Sequence, residues 1–241
     1  MQTQACIHGI GGVLFDVGGT LLRADPSVPE LFATVARRRG HDITVRDTEP
    51  AMALVDEFYQ SEYLSDGDFW CSHPRSVQLW LDMYGIMARA VGVGGDAAGI
   101  AHDLYAEYLH PENWSFFPDV LNTLKGLKRS GLKLGVVSNW DATLESLLRG
   151  LEVLPYFDTV ISSAAVGYRK PGSVIFEMAL EELQLDARAT VHVGDLPEAD
   201  GAGAESAGIT PVIIDRAGKH PECPYRTVQS LTELLDIVNA D

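Results

Sequence analysis

The sequence predicts an α/β protein built on a doubly wound parallel sheet, with a bundle of helices inserted into it. Three observations support this fold: short apolar runs recur along the chain, helix-like stretches separate the later runs, and one long segment shows only helical patterns. The chain has 241 residues, of which 46% are hydrophobic, so it is long enough to bury the core that such a fold requires.

Five of the apolar runs predict strands. They are rich in β-branched residues and nearly free of charge, which is typical of strands buried on both faces of a parallel sheet. The predicted strands are residues 12–17, 132–138, 157–162, 190–194 and 210–215.

Helix-like stretches follow the later strands at residues 118–129, 141–149 and 172–183. The first two end at Gly131 and Gly150, and the third begins after Pro171, as helix boundaries commonly do. An alternation of strand and helix requires a parallel sheet with helices on both faces. Ligands of such sheets bind beyond the carboxyl ends of the strands.

The segment 24–117 breaks this alternation. It shows no convincing strand but four helical patterns, near 28–39, 48–64, 74–90 and 96–109, and it is too long for a loop. We therefore predict a helical cap at 24–117, inserted into a core formed by 1–23 and 118–241. The segment holds 13 of the 20 aromatic residues, and we expect four of them to form bundle core rather than a substrate platform: Phe58, Trp80, Tyr84 and Tyr105.

Charge and composition exclude several classes of function. The formal net charge of −16 opposes binding to nucleic acid, and Arg37–Arg39, which precede Gly40, indicate a helix C-terminus rather than a phosphate-binding patch. No apolar run approaches the roughly 20 residues of a membrane span, and the first residues lack the pattern of a signal peptide. We expect a soluble, cytoplasmic protein without a membrane partner; the sequence does not indicate its oligomeric state.

The cysteines and histidines predict no metal site. Cys6, Cys71 and Cys223 are far apart, so neither a disulfide framework nor a zinc site is expected. None of the seven histidines forms a close pair with metal-ligand spacing, and His192, inside a predicted strand, is expected to be a satisfied core residue.

Polar side chains follow four of the predicted strands. Their order along the chain is Asp16 to Thr20, then Ser138 and Asn139, then Arg169-Lys170-Pro171, then Asp195 with Asp200. The carboxyl ends of parallel strands lie at one edge of the sheet, so we expect these groups to converge in one crevice.

The residue types expected in this crevice predict that it binds magnesium and phosphate. Asp16 and Asp195 supply the carboxylate oxygens that Mg²⁺ prefers, and Lys170 supplies a positive charge. Ser138 and the backbone N–H groups after it can hold phosphate oxygens, and Asp141 can cap the helix that follows. An aspartate beside a metal can itself attack phosphorus and form an aspartyl-phosphate. As alternatives, Asp195 and Asp200 also suit turns or helix caps, and Ser138 suits a strand-end turn.

These four clusters resemble, in order and spacing, the four motifs of the haloacid-dehalogenase-like hydrolases. The matching segments are Phe-Asp16-Val-Gly18-Gly19-Thr20-Leu, Val-Val-Ser138-Asn139, Arg-Lys170-Pro and Val-Gly-Asp195 followed by Asp200. The resemblance spans the chain and implies a Rossmann-like core, with 24–117 at the place of the family's helical cap.

The resemblance also implies a role for each matching residue. Asp16, with Lys170 and Ser138, would form the catalytic set, and Asp16 would be both nucleophile and metal ligand. The other metal ligands would be the main-chain carbonyl of Gly18, Asp195 and Asp200, the last of which would coordinate metal or steady Lys170. The phosphate-binding set would comprise Ser138, Asn139, Lys170, Gly19 and Thr20, with Thr20 also supporting the first loop.

Gly18 departs from the family pattern. The family's phosphatases usually bear a second Asp there, which protonates the leaving alcohol and activates water, a contribution worth about 10²–10⁴-fold in rate. Dehalogenases bear Tyr at this position and need no metal, whereas Asp195 is retained here. Phosphonoacetaldehyde hydrolase bears Ala and uses a cap lysine, and segment 24–117 contains no lysine. The motif sequences resemble most those of a little-characterised branch of the family.

Three hypotheses follow. The first is a Mg²⁺-dependent phosphohydrolase that acts on a small phosphorylated metabolite through Asp16, weakened by Gly18. The second is a catalytically silent protein that binds a phosphorylated ligand or a protein partner. The third is cleavage of a carbon–halogen bond.

Overall fold

A computed structural model describes residues 7–238 of the chain. Residues 1–6, which include Cys6, and residues 239–241 lie outside this range. Neither Cys71 nor Cys223 belongs to a disulfide among the residues that the structure describes. Within the described residues, no helix is long and apolar enough to cross a membrane.

Six parallel strands form the main sheet, in the order β5-β4-β1-β6-β7-β8. All five predicted strands are present, with boundaries that differ by a few residues, and β8 is an additional short strand at the sheet edge. The strands are β1 Gly12–Phe15, β2 Leu22–Ala24, β3 Trp114–Phe116, β4 Lys133–Ser138, β5 Thr159–Ser162, β6 Thr190–Gly194, β7 Thr210–Ile214 and β8 Arg226–Val228.

Helices cover both faces of this sheet, which confirms the doubly wound α/β fold. Successive strand residues point to opposite faces, so Val13 and Phe15 pack in one apolar core while Leu14 packs in the other. The helices are α1 Val28–Arg38, α2 Val45–Asp66, α3 His73–Ala90, α4 Ala97–Tyr108, α5 Val120–Arg129, α6 Leu144–Gly150, α7 Ser163–Val166, α8 Val174–Leu183, α9 Ala202–Ser206 and α10 Leu234–Ile237.

The four predicted cap helices are α1 to α4. They pack on one another around a separate apolar core that includes Phe32, Ile100 and Leu104, all with no exposed surface. The last turn of α1 is basic as predicted: Arg38 pairs with Glu107, and Arg39 pairs with Asp96 at 2.6 Å. Arg38 thus links the end of α1 to the body of α4, and Arg39 links it to Asp96, the N-cap residue of α4.

The expectation that 24–117 contains no strand is wrong. β3 lies in this segment and pairs antiparallel with β2, from Leu22 opposite Phe116 to Ala24 opposite Trp114. A three-residue strand is too short to show a periodicity in the sequence. This ribbon carries the chain from the sheet to the helices and back, and the division at 23/24 and 117/118 stays a prediction.

Candidate active site

The predicted polar clusters converge at the carboxyl edge of the sheet. Asp16 directly follows β1, Ser138 is the last residue of β4, and Asp195 directly follows β6. Lys170 comes from the loop between α7 and α8, and Asp200 lies in a π-helical turn at Pro197–Gly201. The three central strands of the sheet thus place the aspartates and the serine side by side.

Asp16 is held by two donors on one of its oxygens. The Lys170 Nζ donates to Asp16 Oδ1 at 2.6 Å, and the Ser138 Oγ donates to the same oxygen at 2.9 Å. All three side chains are buried. Among the described residues, no hydrogen bond occupies Asp16 Oδ2, so the second oxygen remains available for chemistry.

The Lys170 Nζ donates a second hydrogen bond, to Asp200 Oδ1, at 2.5 Å. The same oxygen lies 2.9 Å from His192 Nε2, and Oδ2 accepts from the backbone N–H of Leu196 at 3.0 Å. His192 is a buried core residue as expected, and its bond to Asp200 also supports a residue of the site. The sequence signal was a polar residue in an otherwise apolar central strand. Its Nδ1 has no partner within the described part of the chain.

Two glycines allow the backbone to approach these carboxylates. A Cβ on Gly19, whose φ is +73°, would lie 2.3 Å from Asp195 Oδ2. A Cβ on Gly194 would lie 2.0 Å from the carboxyl carbon of Asp200. Neither position has room for a side chain, because the first loop and the end of β6 pack directly on the acidic groups.

Negative charge exceeds positive charge in this cluster. Oxygens of Asp16, Asp195 and Asp200 lie within 4.8 Å of one another. Burial, together with the charges of Asp16 and Asp200, raises the pKa of Asp195 to about 8. Burial and Asp200 also raise the pKa of Asp16, although Lys170 and Ser138 oppose the shift. A further cation placed here would relieve this repulsion.

Lys170 balances part of this charge. Burial alone would lower the pKa of Lys170, but the carboxylates of Asp16 and Asp200 outweigh it and raise the pKa above its ordinary value. Burial would likewise raise the pKa of Asp200, but Lys170 and His192 outweigh it and lower the pKa. Lys170 and Asp200 are therefore a charged pair.

The remaining predicted residues take different positions. The Asn139 side chain is bonded at both ends to the backbone of Lys170, with Oδ1 accepting at 2.8 Å and Nδ2 donating at 3.1 Å, so it positions the lysine loop. Gly18 lines the cavity above the cluster. Gly19 and Thr20 do not line it, and the Thr20 hydroxyl is buried without a partner among the described residues. Phosphate binding by these last two stays a prediction.

A cavity of about 560 Å³ opens above Asp16. Its floor is the charged cluster, and the helical segment contributes aromatic rings to its wall: Tyr59, Tyr63, Trp70 and Trp80. Trp80 packs against the bundle core as expected and also lines this cavity, whereas Tyr84 is buried in that core. A ring can serve both purposes when it lies on the face of the bundle that meets the sheet.

Comparison with known proteins identifies the family. The family model described as haloacid dehalogenase-like hydrolase matches residues 10–208. The chain belongs to the haloacid-dehalogenase-like hydrolases. The Bos taurus "Haloacid dehalogenase-like hydrolase domain-containing protein 3" is 34% identical over 216 residues, covering 87% of this chain and 83% of the relative.

Two further relatives of this haloacid-dehalogenase-like hydrolase carry phosphatase names. The "Ribulose-1,5-bisphosphate 5-phosphatase" of Halopiger xanaduensis is 32% identical over 94% of this chain and 98% of its own. The crystal structure of a "HAD phosphatase from Thermococcus onnurineus" is 27% identical, has a TM-score of 0.65, and covers 95% of this chain and 97% of its own.

In this haloacid-dehalogenase-like hydrolase, the helical segment also contacts the loop that follows Ser138. Tyr105 of α4 donates its hydroxyl to Asp141 Oδ2 at 3.0 Å. The other oxygen of Asp141 accepts from the backbone N–H of Thr143 at 2.8 Å. Thr143 is the N-cap residue of α6, so Asp141 fixes the turn before this helix and is not its cap, contrary to expectation. One carboxylate therefore connects the helical segment to the loop beside the site.

Proposed function

We propose that this hydrolase is a Mg²⁺-dependent phosphohydrolase that acts on a small phosphorylated metabolite through Asp16. The observation that carries the proposal is the setting of Asp16: one oxygen is fixed by Lys170 and Ser138, and the side chain lies beside two further carboxylates. The phosphatase names of the Halopiger and Thermococcus proteins support the same reaction class.

The acidic cluster fits a magnesium ion. Three buried or half-buried carboxylates face one another with one lysine between them, and isolated buried charge is costly unless it is paired or bound to a metal. Oxygen ligands are what Mg²⁺ selects. Asp16, Asp195 and Asp200 would hold the ion, with the Gly18 carbonyl as the further ligand implied by the family. When bound, the ion would neutralise charge that develops on the transferring phosphoryl group.

Asp16 performs the chemistry in two steps. Its free carboxylate oxygen attacks phosphorus, and the bond from phosphorus to the leaving oxygen breaks with its electron pair on that oxygen. Lys170 and Ser138 lie at the same carboxylate and stabilise the negative charge of the phosphoryl oxygens. Water then attacks phosphorus, the bond to Asp16 breaks with its electrons returning to the carboxylate, and the proton of the water passes to solvent. The leaving oxygen takes a proton from solvent, so the products are inorganic phosphate and the hydroxyl compound.

A catalytically silent protein that binds a phosphorylated ligand is the second candidate, because Gly18 offers no proton. Replacing the nucleophile distinguishes the two. We expect Mg²⁺-dependent hydrolysis of p-nitrophenyl phosphate, and we expect Asp16→Asn to abolish it, since an amide is not a nucleophile towards phosphorus. Phosphate release by the variant and the parent is the measurement. Equal turnover by both would refute the proposal, and no turnover by either would favour the silent protein.

A further inference from the structure

The cavity above Asp16 has two unlike surfaces. Its floor is charged, whereas its wall is formed by rings from α2, the turn after it, α3 and the loop after β4, namely Tyr59, Tyr63, Trp70, Trp80 and Trp140. The rings from Tyr63 to Trp80, with Phe69 between them, pack in series with centroid separations of 5.3–6.2 Å. Such mutual packing fixes the rings, so the wall presents a preformed surface for a flat, apolar group.

Charge in the cavity disfavours a second anionic group on the substrate. Of the described residues that line it, Lys170 is the only cation, and its Nζ is bonded to both Asp16 and Asp200. Glu198, at the cavity margin, adds further negative charge. Among the described lining residues, no further cation could pair with a second phosphate or a carboxylate, and removing an unpaired anion from water is costly.

Gly18 has no side chain that could give a proton to the leaving oxygen. A Cβ on Gly18 would lie 3.5 Å from Cζ3 of Trp140, and among the described residues no acidic group lies within 4 Å of it. A phenolate departs easily without a proton, since the pKa of a phenol is about 10. An alkoxide does not, because the pKa of an alcohol is close to the value of about 15.7 for water.

We propose that the substrates of this site are phosphate monoesters of flat, weakly acidic hydroxyl compounds, that is, aryl or enol phosphates without a second anionic group. This inference rests on the proposed function and specifies its substrate class. The leaving oxygen keeps the electron pair of its bond to phosphorus, departs as a phenolate or enolate, and takes its proton from solvent. The aromatic wall binds the ring, and Gly18 provides the space beside Trp140.

The kinetic test compares esters that differ in the leaving group. With Mg²⁺ present, we expect kcat/KM for phenyl phosphate to exceed that for ethyl phosphate by about 100-fold or more. Gly18→Asp should raise turnover of ethyl phosphate at least about tenfold and change that of phenyl phosphate much less, because only the alkoxide needs the added proton. Equal turnover of the two esters by the parent protein would overturn the inference.

The binding test needs no turnover. Phenylphosphonate and methylphosphonate cannot be hydrolysed, and their binding is followed by tryptophan fluorescence and by thermal shift. We expect phenylphosphonate to bind more tightly, and Trp80→Leu to weaken it about three- to tenfold while leaving methylphosphonate nearly unchanged. Phe58→Leu is the matched control, because Phe58 packs against the cluster that contains Trp70 but does not line the cavity.

The outcomes separate the two proposals. If both phosphonates bind equally and Trp80→Leu affects neither, the substrate class is wrong while a phosphohydrolase remains. If neither phosphonate binds and no ester is hydrolysed, the proposed function is wrong and the substrate class is wrong with it. If Trp80→Leu unfolds the protein, Tyr63→Leu, in the same wall, replaces it with the same expected result.

Discussion

At the scale of single residues, Gly19 shows how closely the backbone approaches the acidic cluster. Gly19→Ala would incur about 1–2 kcal/mol for the left-handed backbone and would also press its methyl group against Asp195. We expect Mg²⁺ affinity, measured as metal-induced thermal stabilisation, to fall about tenfold or more, because displaced supporting contacts typically have that effect.

Gly92→Ala provides the matched control. Gly92 has a similar φ of +85° but nothing within 4 Å of the added methyl group. It should therefore lose only the backbone contribution, about 1–2 kcal/mol in free energy of unfolding, with unchanged Mg²⁺ binding. If both variants retain the parent's response to Mg²⁺, the contact between Gly19 and Asp195 has no role in metal binding.

Residues of the site differ in how far the sequence predicted them. The motif residues Asp16, Ser138, Lys170, Asp195 and Asp200 were all predicted to converge, because each follows a strand end or a loop beside it, and the structure brings them together. Two supporting contacts were not predicted. The bond of His192 to Asp200 and that of Asn139 to the Lys170 backbone depend on side-chain direction, which strand periodicity does not specify beyond the face.

At the scale of elements, the contact of α4 with the loop after β4 is the testable feature. Asp141 is buried and shares its two oxygens between Tyr105 and the N-terminal end of α6. Tyr105→Phe removes one donor from a carboxylate. We expect it to lower the free energy of unfolding by about 1–3 kcal/mol, as measured by denaturant unfolding.

Tyr168→Phe is the control for this variant, because Tyr168 is 50% exposed and lies on the loop after α7. Its free energy of unfolding should match that of the parent. A Tyr105→Phe protein as stable as the Tyr168→Phe protein would show that the hydrogen bond to Asp141 does not stabilise the contact.

Long elements were predicted well and short ones were not. The helices α1 to α4 each have at least three turns of regular pattern, and all were found near their predicted positions. The strands β3 and β8 have three residues each, and the turn Pro197–Gly201 has a π-helical bond pattern. Such short elements depend on tertiary partners and not on a local period, so no window of the sequence reveals them.

At the scale of the whole molecule, Asp119 joins distant parts of the chain. Its Oδ2 accepts from Arg216 at 2.8 Å, from Ser230 at 2.9 Å and from the backbone N–H of Leu231 at 2.7 Å. Arg216 also donates to the carbonyl of Thr20 at 3.0 Å. The start of α5, the region after β8 and the loop that follows Asp16 are thus held together at one carboxylate.

Stability should depend on pH through this carboxylate. Burial alone would raise the pKa of Asp119, but Arg216 and the donors of residues 230 and 231 outweigh it, and the pKa lies below its ordinary value. A lowered folded-state pKa gives stability that is complete above the unfolded-state pKa of about 3.9 and is lost as pH falls through the folded-state value.

Asp119→Asn should therefore lower the free energy of unfolding by about 1–2 kcal/mol near neutral pH. Denaturant unfolding across pH is the measurement: the difference from the parent should stay constant down to about pH 5 and narrow below about pH 4. A difference that is unchanged at the lowest pH at which both proteins fold would show that the charge of Asp119 is not what stabilises this junction.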